Sequence, residues 1–251
     1  MSALNNKKKR LDHRIVEIQL LPTRQRARAM IMGGKILVNS RLVDKPGTLV
    51  SEDDHIVLRE QEFPYVSRGG LKLEKALKAL AIDINGWICL DVGASTGGFT
   101  DCLLQYGADR VFAVDVGYGQ MAWKLRQDSR VVVIERTNIR YMPVEIVAQR
   151  VDLVTIDVSF ISLKIVVPAV IKFMKKDAAI LALIKPQFEV GKGKVGKGGV
   201  VRDPALHSEV IENLTDFFNK HNLACQAVVP SPILGPKGNR EFIVHLTRSD
   251  M

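Results

Sequence analysis

The 251-residue sequence holds three cysteines, Cys89, Cys102 and Cys225, and no two of them form a C-x-x-C pair. That scarcity argues against a disulfide-stapled scaffold and a cysteine-rich zinc site, so no metal is expected and a reducing cytoplasm is the expected setting. Long apolar runs are missing too. No unbroken stretch reaches the roughly 20 residues that a membrane-spanning helix needs. Lys7, Lys8, Lys9 and Arg10 resemble the basic start of a signal peptide, but Glu17 and Gln19 break the apolar segment that should follow. Neither secretion nor membrane insertion is expected. Internal repeats are absent, and the one biased segment is the Gly/Lys-rich stretch 191–199.

What is present is enough for a full core: 47% of residues are hydrophobic and 25% charged. The net charge of +9 is unevenly placed. Residues 1–51 carry eleven lysines and arginines against Asp12, Glu17 and Asp44, whereas the rest of the chain is nearly balanced. Such asymmetry points to a basic module that meets a polyanion.

Within that module, residues 10–30 read as two short helices broken at Pro22, with Thr23 as an N-cap and Gly33-Gly34 as a stop. Lys35–Asn39 and His55–Leu58 read as strands. A small α+β domain over 1–60 and a linker over 61–66 are expected. From residue 67 onward strand and helix patterns alternate. The strands are expected over 88–92, 110–114, 131–134, 153–156, 179–184, 225–229 and 241–246. Helices are expected over 71–80, 98–106, 122–127, 144–148, 163–173 and 206–220. That order implies an α/β, doubly wound, mostly parallel Rossmann-like sheet over 67–251, with ligands at the carboxyl ends of the strands.

The most informative segment is Leu90-Asp91-Val92-Gly93-Ala94-Ser95-Thr96-Gly97-Gly98-Phe99. It reads as a glycine-rich turn from a strand into a helix, where free N–H groups meet a polar cofactor. A dinucleotide fingerprint requires G-x-G-x-x-G, and Ser95 stands at its middle glycine, which disfavours a nicotinamide cofactor. A leading carboxylate, Asp91, suits a cationic amino-acid ligand better than a pyrophosphate. S-Adenosylmethionine is therefore favoured. Asp115, ending the next strand, suits the ribose hydroxyls of such a ligand, and Asn138 its adenine. The segment from Gly191 to Gly198 imitates a phosphate-binding P-loop, but Gly198 replaces the required Ser/Thr and no helix pattern follows. It reads as a basic loop.

Several segments carry a family resemblance. Arg10-Leu11-Asp12, Thr23-Arg24-Gln25-Arg26-Ala27 and Gly34-Lys35-Ile36-Leu37-Val38-Asn39 resemble an S4 RNA-binding domain. Val66–Leu73, Leu90–Phe99, Asp157–Leu163, Ile184–Glu189 and Gly238–Phe242 are similar to the TlyA, or hemolysin A, family. That resemblance implies an S4 domain joined to an FtsJ-like methyltransferase that 2′-O-methylates ribosomal RNA, often at cytidine, with ribosomal RNA or subunits as partner. It also implies a Lys-Asp-Lys-Glu catalytic set, matched here by Lys72, Asp157, Lys185 and Glu241. The chemistry is consistent with that set. A ribose hydroxyl is a poor nucleophile, so a base must take its proton as the methyl arrives. Lys185 is the candidate base, Lys72 a second cation, and Asp157 and Glu241 their orienting carboxylates. The carboxylates and the second cation pull the lysine's proton affinity in opposite directions. Candidate RNA contacts are Arg10, Arg24, Gln25, Arg26, Lys35, Asn39 and Arg41, then Arg68 and the loop lysines Lys192, Lys194 and Lys197. Two rival readings are a membrane-active hemolysin and an RNA-binding assembly factor without catalysis.

Overall fold

The computed structural model describes residues 8–58, 64–191, 193–196 and 198–249. The chain divides into two compact units, with the boundary near residue 62.

The first unit begins with β1 (Lys9–Arg10) and α1 (Leu11–Glu17), followed by α2 (Arg24–Met32). Thr23 caps α2 as expected, its hydroxyl accepting from the Arg26 N–H. Then come β2 (Ile36–Val38), β3 (Arg41–Leu42), β4 (Leu49–Val50) and β5 (Ile56–Leu58). β2 pairs antiparallel with β3 and β5, and β1 with β4. Leu11, Ile15, Ala27, Ile31 and Ile36 fill a small core of their own. Strands β1, β3 and β4 have two residues each, too short to show alternation, and escaped the sequence reading.

The second unit begins with α3 (Gly69–Ala79), β6 (Ile88–Val92), α4 (Gly98–Gln105), β7 (Arg110–Val114), α5 (Trp123–Arg126) and β8 (Val131–Ile134). It continues through β9 (Val151–Ile156), α6 (Leu163–Val170), β10 (Met174–Ile184), α7 (Pro204–Asn219), β11 (Leu223–Pro230) and β12 (Phe242–Arg248). Residues 64–66, placed in the linker by the sequence, are tied into this unit. Tyr65 is buried in its core, Val66 N–H donates to Asp101 Oδ2, and the Pro64 carbonyl accepts from Gln105. Residues 61–63 lie outside the described set. The expected helix at 144–148 is a single 3-10 turn, Val144–Ile146, entered from Pro143. Strand β10 starts five residues early, because Lys175, Lys176 and Asp177 disguise it and an irregularity follows Met174.

The seven strands run in the order β11-β12-β10-β9-β6-β7-β8. β8, β7, β6, β9 and β10 are parallel; β12 is antiparallel to β10 and β11. The reversal has a local cause. A short connection without a crossover helix joins β11 to β12, and only antiparallel neighbours can be joined that way. One face of the sheet packs on α6 and α7 with Phe173, Phe218 and Leu214; the other packs on α3 and α4 with Leu73, Leu77 and Leu103. The chain winds outward from β6 through β7 to β8, then returns to β9. The switch point therefore lies between β6 and β9, which is where a doubly wound sheet opens a crevice.

Candidate active site

The ends of β6 and β9 approach closely at that crevice. Asp157 N–H donates to the Val92 carbonyl, and Gly93 (φ 84°) lies so near that a Cβ there would stand 2.5 Å from the Asp157 carbonyl oxygen. Only glycine fits this contact.

Asp157, one residue past β9, is the centre of a charge cluster. Its Oδ1 is 2.5 Å from Lys185 Nζ and its Oδ2 is 4.0 Å from Lys72 Nζ. Lys72, on α3, lies 2.6 Å from Glu241 Oε2, just before β12. Lys185, at the end of β10, also donates to Ser159 Oγ at 3.0 Å. Lys72, Lys185 and Glu241 are buried. Four elements far apart in sequence thus deliver one alternating run, Glu241–Lys72–Asp157–Lys185. Pairing is what makes such buried charges tolerable.

Two cavities meet at this run. One, about 310 Å³, is lined by Arg68, Lys72, Ser95, Thr96, Gly98, Phe99 and Lys185. The other, about 540 Å³, is lined by Val92, Asp115, Val116, Gln120, Thr137, Asn138 and Ile139. Gly93, Ser95, Asp157 and Ser159 belong to both walls. The larger cavity pairs apolar sides with polar groups at its ends, which suits a nucleoside. Asp115 is pinned there, accepting from the N–H groups of Ser95 and Gly117 at 2.7 and 2.6 Å. Asn138 lines the wall, with its Oδ1 accepting from Arg140.

Two candidate cofactor residues face elsewhere. Asp91 is fully buried and lines neither cavity; its carboxylate accepts from Thr100 and Thr155 hydroxyls at 2.7 and 3.0 Å. Burial pushes this carboxyl up to about 6, against the lowering effect of the two hydroxyls. Strand alternation explains the outcome, since residues 89 and 91 of β6 point to the face covered by α4. Gly97 (φ 94°) packs under Leu125 rather than toward a ligand.

The candidate RNA residues are scattered. Arg10 and Arg24 converge on buried Asp12, with Nε–Oδ distances of 3.0 and 2.9 Å. Burial raises the Asp12 carboxyl, but the two guanidiniums outweigh it and hold the group at about 2. Gln25, Arg26 and Arg41 are exposed on the same unit, and Lys35 is half-buried. Asn39 is committed to its own turn, bonding Asp54 Oδ1 and the His55 N–H, which leaves little for a ligand. Lys194 is paired with Glu209, and Arg68 lines the smaller cavity. Lys192 and Lys197 lie outside the described residues.

The sequence reading missed Ser159, Gln120, Thr137 and Phe160. Phe160 is 90% exposed at φ 65° and lies 5.0 Å from the Phe188 ring. An aromatic in a left-handed conformation has no sequence signal. Among the described residues no cluster of His, Cys, Asp or Glu could hold a metal ion, and no helix is long and apolar enough to cross a membrane.

The FtsJ-like methyltransferase model matches residues 65–248, and the S4 domain model matches 9–56. The chain is 47% identical over 243 residues to the 16S/23S rRNA (cytidine-2′-O)-methyltransferase TlyA of Mycobacterium tuberculosis H37Rv, covering 96% of this chain and 91% of the relative. It is 39% identical to hemolysin A of Brachyspira hyodysenteriae, over 94% of this chain and 98% of that one. A solved hemolysin-named chain from Streptococcus thermophilus superposes with a TM-score of 0.77 at 42% identity, covering 98% and 90%.

Proposed function

The chain belongs to the FtsJ-like methyltransferase family, with an S4 domain ahead of the catalytic unit, and we propose that it moves a methyl group from S-adenosylmethionine to a ribose 2′-hydroxyl of ribosomal RNA. The activity named for the mycobacterial relative makes cytidine the expected nucleotide. The observation that carries the reading is the Glu241–Lys72–Asp157–Lys185 run, whose Asp157 lies on the wall shared by two cavities and whose lysines line the smaller one. One cavity holds the donor and the other receives the acceptor.

The cofactor supplies a methyl group carried on a sulfonium cation. Asp115 would hold its ribose hydroxyls, and Thr137, Asn138, Val116 and Ile139, which line the same cavity, would hold its adenine. Ser95 lines both cavities, and Thr96, Gly98 and Phe99 line the smaller one. Lys185, which lines the smaller cavity and is held by Asp157 and Ser159, takes the proton of the attacking hydroxyl as the free amine. Lys72, fixed by Glu241, places a positive charge beside the oxygen as it loses that proton. Asp157 holds the two amines in one geometry. The four side chains carry no net charge when both lysines are protonated, so Lys185 must release its own proton to solvent before it can accept that of the hydroxyl. Holding donor and acceptor in line contributes much of the rate.

The S4 unit anchors RNA through phosphates, with Arg10 and Arg24 fixed by Asp12 and Arg26 and Arg41 exposed nearby; affinity therefore falls steeply with salt. The test is transfer of a labelled methyl group to isolated ribosomal subunits, followed by mapping of 2′-O-methyl positions. Transfer to one ribose is expected. No transfer to either subunit overturns the reading, and full transfer by Lys185→Ala removes Lys185 as the base.

A further inference from the structure

We propose that the rim of the cofactor cavity is a second RNA surface, made of two arginine–tyrosine pairs, on which unpaired nucleotides stack. The proposal rests on the methyltransferase reading above. Tyr118 and Tyr141 are 66% and 75% exposed, unusual for such large rings. The Arg136 guanidinium lies 4.1 Å from the Tyr118 ring centre, and that of Arg140 lies 5.0 Å from the Tyr141 ring centre. Neither arginine has a carboxylate partner among the described residues. The neighbouring Arg126 and Arg130, by contrast, are paired with Glu135 and Asp128.

The pairs are held in place. Arg136 has φ 53°, a conformation that a side-chain-bearing residue keeps only when its surroundings enforce it. Its N–H donates to the Gly117 carbonyl at 3.0 Å, and the next N–H, of Thr137, donates to the Asp115 carbonyl at 3.0 Å. The strained residue is thereby strapped to the loop that carries Tyr118. Arg140 is oriented by its Nε bond to Asn138 Oδ1 at 3.3 Å. Both pairs also border the cavity: Tyr118 stands between its wall residues Val116 and Gln120, Arg136 precedes Thr137, and Arg140 and Tyr141 follow Ile139.

Exposed rings beside guanidiniums without counter-charges suit single-stranded nucleic acid. The ring takes the face of a base, and the guanidinium takes a phosphate or a second base. A duplex would hide those base faces. An apolar protein partner would bury two unpaired cations, which is costly. The surface therefore fits RNA locally opened around the nucleotide that enters the acceptor cavity.

The test uses the full chain, a fluorescein-labelled single-stranded oligoribonucleotide, and the variants Tyr118→Ala, Tyr141→Ala, Tyr118→Phe and Tyr141→Phe. Each alanine variant is expected to weaken oligonucleotide binding about tenfold. Each phenylalanine variant is expected to restore most of it, with the Kd for S-adenosylmethionine measured by calorimetry unchanged. Alanine variants that bind the oligonucleotide like wild type overturn the proposal. So does an equal loss of cofactor and RNA affinity, which would make the rings mere supports of the cofactor loop. The two readings fail separately. Methyl transfer by wild type with unaltered RNA binding by the alanine variants defeats only the surface. Loss of oligonucleotide binding in those variants, together with no wild-type transfer to subunits, defeats only the function.

Discussion

Asp91 and Asp157 stand at the ends of neighbouring parallel strands, β6 and β9, and meet opposite surroundings. Asp91 pairs in register with Thr155 inside the sheet, and its oxygens accept from two threonine hydroxyls. Asp157 lies one residue beyond its strand, and its oxygens face two lysine amines. Neutral donors leave a buried carboxylate short of compensation, and burial raises Asp91 to about 6. Cationic donors turn the other carboxylate into the hub of a charge run. Hence a strand-end aspartate is informative only together with the face it points to and the sign of its partners.

The sharpest way to break the comparison is to make Asp157 neutral too. Asp157→Asn removes the charge that orients both lysines and is expected to slow methyl transfer by roughly 10²–10⁴-fold, the range for positioned acid–base groups. Calorimetry should still find cofactor binding, which makes the loss one of chemistry. Transfer within a few-fold of wild type would show that Asp157, like Asp91, is structural.

Glu241→Leu comes next. It leaves Lys72 buried with only Asp157 at 4.0 Å, so denaturant unfolding should show a loss of about 3 kcal/mol. A variant as stable as wild type would mean that Asp157 alone compensates Lys72. Asp115→Ala is a milder change. It removes an acceptor held by two N–H groups, and the Kd for S-adenosylmethionine should rise roughly 10- to 100-fold. An unchanged Kd would place the ribose elsewhere.

Much of this was legible from residue order. Strands β6, β7 and β8 fall where their apolar runs lie, and the turn after β6 follows its glycines. Lys72, Asp157, Lys185 and Glu241 could be named, but through a resemblance. Nothing local joins Lys72 to Glu241 across 169 positions, a contact made when β12 inserts beside β10. The placement of Asp91 away from the crevice was legible as well. Position 91 shares its strand parity with Cys89, so it faces α4 and not the crevice; the glycine motif alone does not encode the pleat. Ser159, Phe160 and Arg136 were hidden for another reason, because their placement depends on backbone angles at strand ends that no periodicity encodes.

The smallest effect sharpens the comparison from the side of Asp91. Its folded value of about 6 exceeds the ordinary 3.8. The protonated form is therefore favoured by folding: that contribution is complete below about pH 3.8 and is lost as pH rises through about 6. Asp91→Asn cannot ionise. Relative to wild type, it should gain about 2 kcal/mol between roughly pH 4 and pH 7.5, since each pH unit separating the folded and unfolded values is worth about 1.4 kcal/mol and relaxation lowers the total. Whether it is more stable outright depends on Thr155, whose hydroxyl must turn from donor to acceptor to satisfy the new amide N–H. Urea unfolding at several pH values separates the two contributions. A difference that stays flat across that window would show that the threonine hydroxyls compensate Asp91 in the fold as fully as water does in the unfolded chain.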